Sequence, residues 1–193
     1  MSLDGVRGYL LETSRTASAT ADACAETILA AADAIVASVR EDGKLLICGN
    51  GGSAGDAQHL AAEFVSTLTL DRRRAAIPAI ALTTDTSLLT AVANDFGFDG
   101  VFARQVEALG RPGDVLLGIS TSGGSENVVR AFGQAREQGI RTIALTGASG
   151  GNLGPLADIA ITVPSEVTSH IQEAHIAVGQ LIAILVEDEL FPV

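Results

Sequence analysis

The sequence predicts a doubly wound α/β fold, a parallel five-stranded sheet flanked by helices. Three observations carry this. Short apolar runs alternate with helix-length stretches, the pattern of successive βαβ units. The runs are continuously apolar rather than alternating, as strands buried on both faces are. Two of the runs end in Gly/Ser-rich loops that open a helix, and ligands in such sheets bind beyond the carboxyl ends of the strands.

In chain order, two helices open the protein, one over roughly Leu3–Thr16 and one from near Thr20. The second carries Ala23, Ile28, Ala31, Ala32, Ile35 and Val39 at helical spacing, with Gly43 as its stop signal. The first strand is Lys44–Cys48, followed by GNGGSAGD and a helix over Ala54–Thr67. Ile77–Leu82 is the second strand, with helices near Ser87–Ala93 and Asp99–Leu109. Asp114–Ser120 is the third and leads through TSGGS into a helix over Glu126–Gln138. Arg141–Leu145 and Ile159–Val163 complete the sheet, and a helix over Ser169–Leu190 closes the chain.

Composition narrows the function classes. With 193 residues, 47% of them hydrophobic, the chain has the material for a large core, and only 4% are aromatic, so that core is aliphatic. The formal net charge of −11 argues against a surface that tracks nucleic-acid phosphates. It does not argue against a small phosphate, which backbone N–H groups can hold in a local pocket. Cys24 and Cys48 are far apart and read as reduced thiols of a cytoplasmic protein. No apolar stretch has membrane-spanning length, and the N-terminus carries no signal-peptide pattern.

The loop Ser120-Thr121-Ser122-Gly123-Gly124-Ser125 is the sharper of two phosphate-type devices. Its hydroxyls can donate to phosphate oxygens, and the helix behind it presents free N–H groups and a positive dipole end. No Lys or Arg lies in the loop, and neither the Walker nor the G-x-G-x-x-G pattern is present. The bland alternative is a capped helix after a tight turn. Gly49-Asn50-Gly51-Gly52-Ser53 repeats the device, and two such loops at one sheet edge face one crevice.

The runs CGNGGSAGDAQHLAAEF, ANDFGF, GDVLLGISTSGGSENVVRA, LTGASGG and IQEAH, in that order, resemble the phosphoheptose isomerases, which have the sugar isomerase (SIS) fold. The resemblance implies a single SIS domain over 1–193, with 1–42 as N-terminal helices at an oligomer interface and 43–193 as the α/β core. It implies a homotetramer that isomerises sedoheptulose 7-phosphate or a related long-chain sugar phosphate, with no nucleic-acid or membrane partner. On this likeness Ser120, Thr121, Ser122 and Ser125 hold phosphate. Asn50, Gly51, Gly52, Ser53, Asn94, Asp95 and Gln172 contact the sugar, and His59, Glu63 and Gln172 are candidate zinc ligands.

Aldose–ketose isomerisation moves a proton between C1 and C2 through a cis-enediol, which needs a base and a stabilised oxyanion. His59 and Glu63 are four residues apart on one helix face, so Glu63 is a candidate base, metal ligand or both. The plain alternative is a solvated acid beside a bystander histidine. One departure stands out: where the family carries a histidine eight residues after Gln172, this chain has Gln180, a poor zinc ligand that cannot exchange a proton. Three consequences stay open. The metal is absent or weakly held, His170 takes over the acid–base role, or activity has been lost. His175 reads as packing or hydrogen-bonding within its helix. A second reading is a non-catalytic protein, since the chain also resembles the replication-initiator-associating SIS protein in PAIALTTDTSLLTAVAND and the terminal LFP. A sugar-phosphate sensor ranks last, because the opening segment is too short and acidic for a DNA-binding module.

Overall fold

The computed structural model describes residues 2–69 and 72–192. Five parallel strands form one sheet in the order β2-β1-β3-β4-β5. They are β1 (Leu45–Gly49), β2 (Ala79–Ala81), β3 (Val115–Ser120), β4 (Arg141–Thr146) and β5 (Ile159–Thr162). The helices are α1 (Leu3–Arg40), α2 (Gly52–Val65), α3 (Thr86–Phe96), α4 (Val101–Leu109), α5 (Glu126–Glu137) and α6 (Thr168–Leu190). This is the predicted fold class.

The central strands β1 and β3 are buried along their whole length, which is why they read as unbroken apolar runs. Alternate side chains divide between two cores. Leu45, Ile47, Val115, Leu117 and Ile119 face α1, α2 and α6. Leu46, Cys48 and Leu116 face α3, α4 and α5. The register sets Gly49 opposite Ile119 and Ser120 opposite Thr146, so the ends of β1, β3 and β4 form one edge.

One expectation is corrected. The two opening helices are a single helix, α1, of 38 residues. The expected break between Thr16 and Thr20 contains no glycine or proline. The hydroxyls that would favour a turn are absorbed inside the helix: Thr13 Oγ1 donates to Tyr9 O at 3.2 Å and Thr20 Oγ1 to Thr16 O at 2.8 Å. Thr16, Thr20 and Cys24 are buried, and the Cys24 thiol donates to Thr162 O of β5. Apolar side chains near the start of α1 are uncovered, with Leu3 76%, Val6 59% and Leu10 63% exposed. Among the described residues, no helix is long and apolar enough to cross a membrane.

Candidate active site

The strand order reverses between β1 and β3, and the loops after these two strands carry the predicted phosphate-type motifs. They meet in the fold. Asn50 Nδ2 donates to Asn127 Oδ1 at 2.9 Å, and Asn127 Nδ2 donates to Asn50 Oδ1 at 2.8 Å. This reciprocal amide pair ties the first loop to the first turn of α5. Asn127 was not singled out in the sequence, because its partner lies 77 positions away.

Within the second loop, Ser120 Oγ and Ser125 Oγ stand 2.9 Å apart, and Ser122 Oγ accepts from Gly124 N at 3.1 Å. Gly123 has φ +63° and nests against the 147–154 loop, where Leu153 N donates to Gly123 O at 2.9 Å. Any side chain at Gly123 would strike the backbone of Gly150. In the first loop, Gly51 has φ +55° and lets the chain turn straight from β1 into α2. Thr121 and Ser122 line an open cavity of about 310 Å³ together with Ser149, Ser165, Thr168 and Ile171. The loop thus offers hydroxyls, backbone amides and the positive end of α5 to an anion, without a cation.

Gln172, on the second turn of α6, reaches this edge. A Cβ on Gly52 would collide with its amide, so the two residues are in direct apposition. His59 Nε2 and Glu63 Oε1 stand 2.9 Å apart further along α2, the histidine 48% exposed and the carboxylate 18%. Gly52, His59 and Glu63 lie on one stripe of the helix, seven and eleven residues apart. Because α2 runs away from the carboxyl edge, the structure does not place His59 and Glu63 beside the serines. At 1.5 Å per residue, His59 is ~10 Å and the Glu63 backbone ~16 Å from Gly52 along the axis. Asp56 lies on the same stripe, was not singled out in the sequence, and has its carboxyl raised above the usual range by burial, with nearby His59 opposing.

Asn94 and Asp95 pair with each other at 2.8 Å near the exposed end of α3, which packs on the opposite face of the sheet from α2. They do not join the crevice. His170 is also elsewhere: it is 5% exposed and turned towards α1. Its Nδ1 is 3.1 Å from both Thr13 Oγ1 and Glu173 Oε2, and its ring lies against Tyr9 at 4.5 Å. Tyr9 OH donates to Glu173 Oε1 at 2.6 Å. Hydrogen bonds from Tyr9, Thr13 and His170 hold the Glu173 carboxyl below its usual range. His175 is fully buried and bonds across to the sheet rather than within its helix, its Nε2 donating to Thr146 O at 3.1 Å. Burial pushes its pKa down to about 4, against the opposing pull of that hydrogen bond.

The zinc expectation can be tested on the donor set. His59 and Glu63 supply two donors on one face, Gln172 is packed at Gly52, and position 180 is an amide. Catalytic zinc sites use three protein ligands from His, Glu, Asp and Cys. Among the described residues, no group of three such side chains is close enough to hold a metal ion. His59 and Glu63 thus supply two of the three such ligands.

Fold and crevice define the class first: the SIS domain family matches residues 8–147. Phosphoheptose isomerases of Roseiflexus sp. (strain RS-1) and Rhodospirillum rubrum are each 56% identical to the chain over 167 residues. That is 86% of this chain and 84% and 88% of theirs. The structure of the phosphoheptose isomerase from Neisseria gonorrhoeae superposes with a TM-score of 0.90 at 42% identity, covering 96% of this chain and 98% of that one. That from Francisella tularensis gives 0.93 at 39%, covering 97% and 99%. The chain belongs to the phosphoheptose isomerase family and is a sugar-phosphate isomerase. The initiator-binding alternative is not favoured by these relatives.

Proposed function

We propose that this protein interconverts sedoheptulose 7-phosphate and its aldose through a cis-enediol, gripping the phosphate at Ser120–Ser125 and removing the C1 or C2 proton with Glu63. The observation that carries the reading is the crevice at the strand-order switch, where the Asn50–Asn127 pair locks two anion-ready loops together.

Chain length reconciles the separated groups. Helical side chains point back towards the helix N-terminus, so the Glu63 carboxylate, bonded to His59 Nε2, lies near the level of His59. An extended chain advances ~1.2 Å per bond, so the eight bonds from phosphorus to C1 of a heptulose 7-phosphate span about 10 Å. That is comparable with the run from Gly52, whose loop borders the serine loop through the Asn50–Asn127 pair, to His59 along α2. A substrate held by its phosphate and laid along this stripe presents C1 and C2 to the carboxylate. Asn50 to Ser53 and Gln172 flank its path and supply hydrogen bonds to the hydroxyls. His59 orients the carboxylate. His170 takes no part in proton transfer on this reading and secures α6 to α1.

The uncovered apolar side chains near the start of α1, with exposed Leu181 and Ile184 on α6, support the expected homotetramer. Assembly also offers a way for Asn94 and Asp95 of one copy to meet the crevice of another. Two free, buried cysteines support a cytoplasmic setting, and Cys48 is inert, its pKa pushed up to about 12 by burial.

The test is to incubate the protein with sedoheptulose 7-phosphate in deuterated water. The reading expects solvent deuterium in the recovered sugar, and a sugar that keeps only its own hydrogen under binding concentrations overturns it.

A further inference from the structure

The base proposed above stands in the last turn of α2, and helix ends fray because their last carbonyls lack partners. Here they have one. Arg74 reaches back from the strand-bound segment after α2. Its Nη2 donates to Glu63 O at 2.8 Å, and its Nη1 donates to Phe64 O at 2.9 Å and Ala75 O at 3.0 Å. Its Nε donates to Glu187 Oε2, on the last turn of α6. The side chains of Arg74 and Glu187 are 2% and 3% exposed. Arg72 approaches the other oxygen of Glu187 at 3.5 Å and also pairs with Asp188.

We propose that Arg74, aimed by Glu187, is a positioning residue: it fixes the last turn of α2 so that the Glu63 carboxylate is held at the reacting end of the sugar. This inference rests on the reading of Glu63 as base. Three properties support it. The guanidinium is planar and fork-shaped, and it bonds two consecutive carbonyls of one helix turn, a geometry an ammonium cannot copy. It sits as a buried cation at a helix C-terminus, where the macrodipole favours it. It also ties α2 to α6, so Glu63 and Gln172 are carried by elements joined at both ends: Gly52 against Gln172 near the crevice, and Arg74 with Glu187 at the far end.

A purely structural ion pair and a positioning device differ in what replaces them. Buried ion pairs exchanged for apolar side chains of like volume often keep or raise stability. The double variant Arg74→Met/Glu187→Met, which leaves Arg72 with Asp188, is expected to melt near the wild type and to keep inhibition by inorganic phosphate within about threefold. Its kcat is expected to fall at least tenfold with KM little changed, and amide exchange over 62–66 to quicken at least tenfold. A stable double variant with wild-type kcat and unchanged exchange overturns the proposal. Should the double variant not fold, Arg74→Lys decides: the ion pair survives but the fork does not, so kcat falls with KM kept, and wild-type kcat overturns the proposal. If the wild type itself turns over no ketose phosphate, the isomerase reading falls alone, and the exchange over 62–66 still decides whether Arg74 holds that turn.

Discussion

The two ends of the proposed site are built differently. The phosphate end is a short stretch of chain that carries its own chemistry: Ser120 and Ser125 pair within one loop, Gly123 supplies the turn, and the 147–154 loop braces it. The reacting end is one largely buried carboxylate and one half-exposed histidine on a helix, and their setting comes from α6 and from Arg74. A phosphate dianion needs many donors at fixed positions, which a loop on a parallel sheet provides at short range. A base needs one atom at the right distance, which a helix and its clamps provide at long range. Binding and chemistry should therefore fail separately when each end is altered.

The largest expected effect is at the reacting end. Glu63→Gln removes the base while keeping shape and the contact to His59, so kcat should fall about 10²–10⁴-fold with KM near its original value. Steady-state kinetics decides, and a KM effect alone would shift Glu63 from chemistry to binding.

Next comes the scaffold joining the two ends, through His175. Its folded pKa of about 4 lies below the ordinary 6.5, so the unfolded chain takes up a proton first as pH falls. The stability contributed by the neutral ring is complete above about pH 6.5 and drains away down to about pH 4. The interval corresponds to ~3 kcal/mol. Denaturant melts across this range should show the loss. His175→Gln keeps a donor for Thr146 O and cannot titrate, so it should flatten the profile.

At the phosphate end, Ser120→Ala with Ser125→Ala removes hydroxyls expected to donate to a charged group, each worth about 1.5–3 kcal/mol. KM should rise at least ~10-fold while kcat changes much less. An equal fall in kcat would mean that the two ends are not separable.

The smallest effect concerns the metal. Gln180→His restores the family's imidazole and should tighten zinc binding by at least ~10-fold, read by competition with a chelating dye. No change would show that position 180 does not face the His59–Glu63 pair.

How much of this was legible in the sequence follows the same division. The strands, the loops after β1 and β3, and their meeting at one edge could be read locally, because continuous apolar runs and Gly/Ser-rich turns are local signals. The single helix α1 was not legible as one, since the side chains of Thr13 and Thr20, beside the expected break, bond to carbonyls within the helix. Asn127 and Arg74 looked ordinary because their roles depend on partners reached only in the folded chain. His170 stood out as an unusual histidine, but the partners it meets are Tyr9, Thr13 and Glu173 on α1 and α6. Its rarity in the pattern said nothing about which way it faces.

The central claim is that a phosphate grip and a carboxylate work from opposite ends of one sugar of matching length. Solvent-deuterium incorporation should be compared for ketose phosphates of five and seven carbons, each phosphorylated on its last carbon, with binding of both measured in parallel. The account predicts that both bind through the phosphate, that the seven-carbon ketose takes up deuterium rapidly, and that the five-carbon one, two bonds short of Glu63, scarcely does. Equal deuterium uptake by the two sugars would contradict it.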